Sequence, residues 1–220
     1  MFFSSSAFSD CSNKKLKIIT IGDSVTQGGV KPDEFSYRLQ LSKMLKNAGY
    51  QVDFIGNQHS LLGKKVNWPA GFDNDHYGFY GKTTLFVAEA VKKDLVELDT
   101  NSPDIALILL GNNDQNKIDL YSAVFRPMKA IIKVLRKNNP KITILISTLN
   151  SNSINFKYIR WHLNLVKWLD NSKVSRIILV SMHHDWDLQD TFDGMHPSLT
   201  GQEKIAKEWF KAIDLICSKN

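Results

Sequence analysis

Five short apolar runs alternate with segments of helical spacing, and this alternation limits the fold more than any other feature of the sequence. The apolar runs lie at about 16–21, 51–56, 104–110, 142–147 and 175–182, and the helical segments near 34–48, 83–98, 119–137, 156–170 and 199–216. Strands that are apolar throughout are buried on both faces, which requires helices on each side of a parallel sheet. The sequence therefore predicts a three-layer α/β/α fold around a five-stranded parallel sheet.

Length and composition are typical of one globular domain. The chain has 220 residues, of which 43% are hydrophobic, and a chain of this size can bury roughly 70% of its unfolded surface in one core. We expect a single domain over 16–216, with an N-terminal extension over 1–15. No apolar run approaches the roughly 20 residues that a membrane helix needs. Residues 1–9 lack a basic segment and a full apolar run, so we expect no complete signal peptide, and the compartment stays open, secreted or periplasmic locations included.

Charge and cysteine content argue against a nucleic-acid site and against a zinc site. The net charge is +6, but the lysines are spread over the predicted helices, which favours solvated helix faces over a nucleic-acid site. Cys11 and Cys217 are too few for a disulfide framework and lack the spacing of a zinc site. The sequence leaves open whether they are free thiols or form one bond between neighbouring ends of the domain.

A candidate nucleophile follows the first apolar run. The segment Gly22-Asp23-Ser24-Val25-Thr26-Gln27-Gly28-Gly29 places Ser24 at the end of the predicted first strand. In open α/β sheets ligands bind outside the carboxyl ends of the strands, and small residues allow backbone amides to approach a substrate closely. Since Gly-Asp-Ser also occurs in ordinary turns, the assignment depends on the rest of the chain.

Two further segments supply what a serine nucleophile lacks. A hydroxyl needs a base that takes its proton, and the base needs an acceptor that fixes its tautomer. His196 and Asp193 lie three residues apart before the last helical segment and can fill both roles. Asn113 follows the central apolar run, and its side-chain amide is a suitable donor to a developing oxyanion.

Together these segments resemble the conserved blocks of the SGNH (GDSL-type) esterase family. The blocks are Gly22-Asp23-Ser24, the glycine of Phe79-Tyr80-Gly81-Lys82-Thr83-Thr84, Gly111-Asn112-Asn113-Asp114 and Asp193-Gly194-Met195-His196. The resemblance implies a flavodoxin-like fold with strand order 2-1-3-4-5. It also implies that Ser24 is the nucleophile, His196 the base and Asp193 its orienting acceptor. The Ser24 amide, the Gly81 amide and the Asn113 side chain would form the oxyanion hole, and Gly78 is the alternative to Gly81.

A narrower resemblance concerns the substrate. The stretches Ser36-Tyr37-Arg38-Leu39, 48–56 and Asp75-His76-Tyr77-Gly78 are similar to the carbohydrate-esterase branch that resembles acetylxylan esterases. This implies a short acyl group, such as acetyl, on a small-molecule or carbohydrate ester, with no cofactor and no metal. A lysophospholipase or thioesterase of the same family is the alternative. Val25 and Asn112 depart from the commonest family pattern, and neither change removes a reacting group.

Two readings compete with a serine esterase. His183, His184, Asp185, Asp187 and Asp190 crowd next to Asp193 and His196, and such a cluster could bind a divalent metal. A non-enzymatic binding module could instead use the glycines after Ser24 for a phosphate, but the phosphate-binding Gly-Lys-Ser/Thr is missing. An α/β-hydrolase elbow is disfavoured because Thr26 stands where its second glycine belongs.

Three local expectations concern helix ends and one loop. Thr200 and Glu203 have the spacing of a capping box for the final helix. Pro127 should kink the helix near 119–137 or mark its first turn. The long loop 57–82 contains Trp68, Phe72, His76 and Tyr77, which we expect to line the substrate pocket.

Overall fold

A parallel sheet forms the centre of the molecule. The computed structural model describes residues 11, 14–29, 31, 34–62, 68–95, 102–151 and 156–218. Within these ranges the strands are β1 (Leu16–Gly22), β2 (Val52–Ile55), β3 (Tyr77–Gly78), β4 (Ile105–Leu109), β5 (Thr143–Ser147) and β6 (Ile177–Val180). The order β2-β1-β4-β5-β6 confirms the predicted order of five main strands, and the two-residue β3 is an addition that pairs with the end of β1.

Helices cover both faces of the sheet, as the apolar strands require. They are α1 (Ser24–Gln27), α2 (Ser36–Asn47), α3 (Thr84–Asp94), α4 (Arg126–Asn138), α5 (Phe156–Leu169) and α6 (Leu199–Cys217). Successive strand residues point to opposite faces, so Ile18 joins the core beneath α2 and α6, whereas Ile19 joins the core beneath α3, α4 and α5. The three-layer α/β/α prediction is therefore confirmed.

The register of β1 and β4 brings their carboxyl ends to one edge. Gly22 pairs with Leu109, so the turn that carries Ser24 lies beside the turn that follows β4. The contact leaves no room for a side chain at Gly22: a Cβ there would lie 2.0 Å from the Thr26 hydroxyl and 2.7 Å from the Leu109 carbonyl oxygen. Glycine is thus required where the turn that carries Ser24 crosses the end of the sheet.

The final helix begins two residues earlier than the predicted capping box requires. Ser198 is the N-cap, and its hydroxyl accepts a hydrogen bond from the Gly201 amide at 3.3 Å. Thr200 lies inside the first turn, so the prediction of a Thr200–Glu203 box is wrong. The physical reason is that Thr191 and Pro197 form a β-bridge that holds the chain extended up to Ser198, where the helix can start.

Pro127 lies in the first turn of α4, which was one of the two expected positions. A π-helical turn over Tyr121–Phe125 precedes it directly. Because proline has no amide hydrogen, it is tolerated where the helical hydrogen-bond pattern is only beginning. The predicted helix near 119–137 is therefore two consecutive helical pieces.

The loop after β2 is more buried than the sequence indicates. His76 and Tyr77 are 0% and 1% exposed, so the expectation that they line the substrate pocket is wrong. The Gly78 amide donates to His76 Nδ1 at 3.0 Å, so Nε2 carries the proton and donates to the Ser60 carbonyl at 3.1 Å. Burial lowers the pKa of His76 to about 2, which keeps the ring neutral.

The two ends of the domain are joined covalently. Cys11, which precedes β1, forms a disulfide bond with Cys217 at the end of α6. This structure thus favours the bonded alternative of the two that the sequence left open. No helix in the described part of the chain combines the length and apolar character that crossing a bilayer requires.

Candidate active site

Ser24 lies at the first residue of α1, immediately beyond the end of β1. Asp23 caps this four-residue helix, since its carboxylate accepts from the Val25 amide at 3.1 Å. The Ser36 hydroxyl donates to the carbonyls of Val25 and Thr26 at 3.0 and 2.9 Å. These bonds fix the short helix from both ends, so the position of the Ser24 hydroxyl is set by the backbone around it.

A compact loop before α6 brings Asp193 and His196 to Ser24. His196 Nε2 lies 3.0 Å from Ser24 Oγ, and His196 Nδ1 lies 2.6 Å from Asp193 Oδ2. The amides of Met195 and His196 donate to the other oxygen of Asp193 at 3.0 and 2.7 Å. The loop is closed by a bond from the Phe192 amide to the His196 carbonyl at 3.1 Å. The residues expected to act as nucleophile, base and orienting acceptor are therefore brought together.

The charge state of Asp193 sets the tautomer of His196. Partial burial acts to raise the pKa of Asp193, but hydrogen bonds from the His196 ring and from two backbone amides outweigh it and leave the pKa below its usual range. An ionised Asp193 can only accept, so Nδ1 of His196 carries the proton and donates to it. Nε2 is then the acceptor for the Ser24 hydroxyl, which is the arrangement that a general base requires.

Asn113 and Gly81 meet at the same edge of the sheet. Asn113 lies in the 3₁₀ turn Asn112–Asp114 after β4, and its Nδ2 donates to the Lys82 carbonyl at 3.0 Å. The carboxylate of Asp114 accepts from the amide and the hydroxyl of Thr84, both at 2.8 Å, and so ties the same two loops together.

The backbone at Gly81 differs from that at Gly78. Gly81 has a φ of +66°, which few other residues adopt, and it lies in the turn just before α3. The Gly78 amide is already bonded to His76 Nδ1. Of the two glycines that the sequence offered for the oxyanion hole, Gly81 is the one with its amide in the turn beside Asn113.

A chain of buried amides connects the loops around the site and was not identified from the sequence. Asn112 Nδ2 donates to Asn150 Oδ1 at 3.1 Å, and Asn150 Nδ2 donates to the Met195 carbonyl at 3.2 Å. Asn112 and Asn150 are 5% and 2% exposed. The one sequence feature that could have indicated this link is the position of Asn150. It closely follows β5 and therefore lies at the same carboxyl edge of the sheet as Ser24.

Two aromatic rings lie beside the imidazole of His196. The rings of Tyr80 and Phe192 are inclined to it by 4° and 17°, each with a centroid distance of 5.8 Å. Gln27 Oε1 accepts a hydrogen bond from the Tyr80 amide at 2.7 Å, and this bond connects Tyr80 to the end of α1. Flanking rings limit the orientations that the imidazole can take.

The residues of the alternative metal cluster bind separate partners. His183 Nδ1 lies 3.0 Å from the Thr148 hydroxyl, and His184 pairs with Asp185 at the surface. Asp190 is buried and pairs with Lys204 at 2.7 Å. Over the described ranges, no three His, Cys, Asp or Glu side chains are grouped so that they could hold one ion.

A strong chelator is expected to leave esterase activity unchanged. The reason is that groups arranged like Ser24, His196 and Asp193 can transfer the proton and form a covalent bond without a metal ion. The measurement is hydrolysis of nitrophenyl acetate after incubation with a chelator and removal of released ions. Loss of activity that added zinc restores, with zinc present at one ion per chain, would favour the cluster around His183 instead.

Asp23 is a buried carboxyl group next to Ser24. It is 0% exposed, and its Oδ2 has no hydrogen-bond partner among the described residues. Desolvation raises the pKa of Asp23 to about 7, although the bond from the Val25 amide opposes the shift. The folded protein therefore holds a proton on Asp23 over a pH range in which the unfolded chain has released it.

Asp23→Asn is expected to remove part of the pH dependence of stability. Because the folded-state pKa is raised, the stabilising contribution of protonated Asp23 is present at low pH and is lost as the pH rises towards about 7. From about pH 5 to pH 8 this loss amounts to roughly 2–3 kcal/mol. Urea unfolding at both pH values measures it in wild type, in Asp23→Asn and in a control, Asp185→Asn, whose side chain is 80% exposed. An equal loss in Asp23→Asn and wild type would show that Asp23 is ionised in the folded state throughout.

Comparison with known proteins identifies the family. The model of the GDSL-like lipase/acylhydrolase family matches residues 20–204. A multidomain esterase from Ruminococcus flavefaciens is 29% identical in an alignment that covers 90% of this chain and 28% of that protein. This chain thus spans just over a quarter of that relative.

Solved structures of other proteins have the same fold. A carbohydrate esterase family 3 structure from Talaromyces cellulolyticus has a TM-score of 0.72 at 22% identity, covering 93% of this chain and 100% of the other. A family 3 carbohydrate esterase from Clostridium thermocellum has a TM-score of 0.71 at 25% identity, covering 93% and 98%. With a family match that includes Ser24, Asn113 and His196, this chain belongs to the GDSL-like lipase/acylhydrolase family.

Proposed function

We propose that this chain is a serine esterase that removes a short acyl group, such as acetyl, from a carbohydrate through a covalent acyl-enzyme. One observation carries the proposal: the imidazole of His196 lies within hydrogen-bond distance of Ser24 Oγ on one side and of Asp193 on the other. This is the geometry in which a base can take the serine proton while a carboxylate stabilises the imidazolium. Family membership supports ester hydrolysis as the reaction class.

The first half of the reaction forms the acyl-enzyme. Ser24 Oγ attacks the ester carbonyl carbon while its proton moves to His196 Nε2. The carbonyl oxygen becomes an oxyanion, which the amides of Ser24 and Gly81 and the side chain of Asn113 would stabilise. As the tetrahedral intermediate collapses, His196 gives its proton to the alcohol oxygen, the carbon–oxygen bond to the alcohol breaks, and the alcohol leaves.

Water completes the reaction in the second half. A water molecule takes the position of the departed alcohol, and His196 Nε2 accepts one of its protons as the oxygen attacks the acyl carbon. His196 then donates this proton to Ser24 Oγ, the bond between the acyl carbon and Oγ breaks, and the acyl group leaves as a carboxylic acid. Asp193 remains ionised throughout, since its role is to hold the Nδ1 proton and to stabilise the imidazolium.

The proposal that the substrate is a carbohydrate rests on what is known of the proteins that this chain resembles. The family 3 enzyme from Clostridium thermocellum is named as a carbohydrate esterase, and its alignment with this chain covers almost the whole of that enzyme. The resemblance of the stretches around Arg38 and His76 to the acetylxylan-esterase-like branch supports a short acyl group. The site itself is compatible with this substrate, since the reacting groups need only a carbonyl and an alcohol oxygen.

A series of substrates tests acyl length and alcohol class together. We expect kcat/KM for nitrophenyl esters to fall from acetate through butyrate to octanoate, and acetylated sugars to release acetate. A lysophospholipid and an acyl thioester serve as alternative substrates, and Ser24→Ala protein corrects for spontaneous hydrolysis. A higher kcat/KM for octanoate, or turnover of the lysophospholipid without turnover of acetylated sugars, would replace the proposal with a lipase or thioesterase.

A further inference from the structure

A cavity of about 300 Å³ lies beside the reacting groups and has no role in the mechanism above. Three parts of the chain enclose it. Lys31 and Glu34 come from the segment after α1, Phe192 and Pro197 from the loop that carries His196, and Leu199 and Gln202 from the first turns of α6. The segments that hold Ser24 and His196 therefore continue past those residues and form the walls of this cavity.

The cavity combines an aromatic ring with polar groups of several kinds. Lys31 Nζ lies 4.1 Å from the centroid of the Phe192 ring. Glu34 and Gln202 are each 4% exposed. One oxygen of Glu34 accepts from the Lys31 amide at 3.3 Å, and Gln202 Nε2 donates to the Pro197 carbonyl at 3.4 Å. Donors and acceptors are thus held around one apolar ring, with one basic and one acidic side chain among them.

Such a lining favours a neutral polyol over other ligands. An aliphatic chain would leave the polar groups of Glu34 and Gln202 facing an apolar ligand, which is unfavourable for buried polar groups. An anionic ligand would face the Glu34 carboxylate. A sugar ring has an apolar face of C–H groups that can lie against Phe192, and hydroxyls at its edge that can bond to the charged and amide groups. About 300 Å³ is at the lower end of small-ligand pockets, which suits one sugar ring.

The cavity lies next to the loop that holds the residue which protonates the leaving group. His196 Nε2 must reach the alcohol oxygen to protonate it, so the alcohol lies on the His196 side of the reacting carbon, while the carbonyl oxygen points towards Asn113. Phe192 is the ring beside His196, and Pro197 follows His196 in the chain. The cavity therefore borders the loop that positions His196, the residue that must reach the alcohol oxygen.

We propose that this cavity binds the sugar ring of the alcohol part of the ester, with Phe192 as its apolar wall and with Lys31, Glu34 and Gln202 as the polar groups that face the hydroxyls of the sugar. The proposal rests on the proposed esterase function and adds to it the residues that select the alcohol. It predicts that the cavity contributes to kcat/KM for sugar acetates and contributes nothing for an acetate whose alcohol is too small to reach it.

The test fills the cavity from its rim and compares two esters. Leu199 is 68% exposed at the start of α6, and Leu215 is 50% exposed near the end of the same helix. In Leu199→Trp the larger side chain occupies the cavity, whereas Leu215→Trp is the matched control on a surface remote from it. The substrates are a methyl pyranoside carrying one acetyl group and ethyl acetate. The quantity measured is the ratio of kcat/KM for the sugar acetate to kcat/KM for ethyl acetate.

We expect this ratio to fall at least about tenfold in Leu199→Trp, which corresponds to about 1.4 kcal/mol, and to stay within about twofold of wild type in Leu215→Trp. A second variant, Lys31→Met, removes the ammonium group but keeps the length of the side chain. Its ratio should fall by roughly threefold to tenfold, as expected for the loss of one ordinary hydrogen bond at an exposed side chain.

The outcomes separate this proposal from the proposed function. If wild type hydrolyses ethyl acetate and the ratio is unchanged in both Leu199→Trp and Lys31→Met, the cavity does not bind the alcohol. An equal fall for both esters also leaves the ratio unchanged and overturns the proposal. If wild type hydrolyses neither ester, the esterase function itself fails.

Discussion

Replacing Ser24 by alanine should lower kcat for ester hydrolysis by at least about 10³-fold and leave the fold intact. The substitution removes the oxygen that forms the acyl-enzyme, so covalent catalysis ends. It changes little volume, and the backbone bonds that position α1 involve Asp23 and Ser36 rather than the Ser24 hydroxyl. The measurements are kcat with nitrophenyl acetate and thermal unfolding of the same preparation.

A control and a covalent probe make the result specific. Ser42→Ala, on α2, removes a hydroxyl at a half-buried position and should retain wild-type kcat. A fluorophosphonate should label wild type at Ser24, identified by peptide mapping, and should not label Ser24→Ala. A mutant that keeps most of its activity, or a label found on another residue, would move the nucleophile away from Ser24.

Asn113→Ala should lower kcat by roughly 10²- to 10³-fold, or about 3–4 kcal/mol of transition-state stabilisation, with a much smaller change in KM. The amide nitrogen of Asn113 carries two hydrogens. One is donated to the Lys82 carbonyl at 3.0 Å, which orients the side chain beside the Gly81 turn. The second is available to the oxyanion. A residual rate is expected because the amides of Ser24 and Gly81 are unaffected.

If Asn113 has a purely structural role, a different experimental result is expected. If its only task is to join the loops before α3 and after β4, the variant should lose thermal stability and keep kcat near wild type once folded. Asn116→Ala changes the same residue type three residues further on, at an exposed position, and should alter neither quantity. Measuring kcat and the unfolding temperature on one preparation of each variant decides between the two roles.

The sheet could be predicted from the sequence because buried parallel strands are apolar throughout. β1, β4 and β5 each coincide with an apolar run. The two-residue β3 is too short to produce a pattern, and it forms only because the loop after β2 is folded against the end of β1. The start of α6 was misplaced because Ser198 and Thr200 are both good capping residues, and the bridge that chooses between them is a tertiary contact.

The candidate site was predictable where its residues are close in sequence or follow strands directly. Asp193 and His196 share one loop, and Ser24 and Asn113 follow adjacent strands, so local spacing and strand order were enough to expect them together. The link from Asn112 to Asn150 to the Met195 carbonyl spans 38 and then 45 residues. No local pattern specifies it, since it exists only when three loops have converged.

The Cys11–Cys217 bond gives the domain a mechanical property. It connects positions 206 residues apart in sequence, so the backbone between them forms a closed covalent ring. Tension applied to the chain on the two sides of this ring passes through the sulfur–sulfur bond and not through the hydrogen bonds of the sheet. Under load, the carboxyl edge that holds Ser24 and His196 is therefore shielded from the pulling force for as long as that bond stays oxidised.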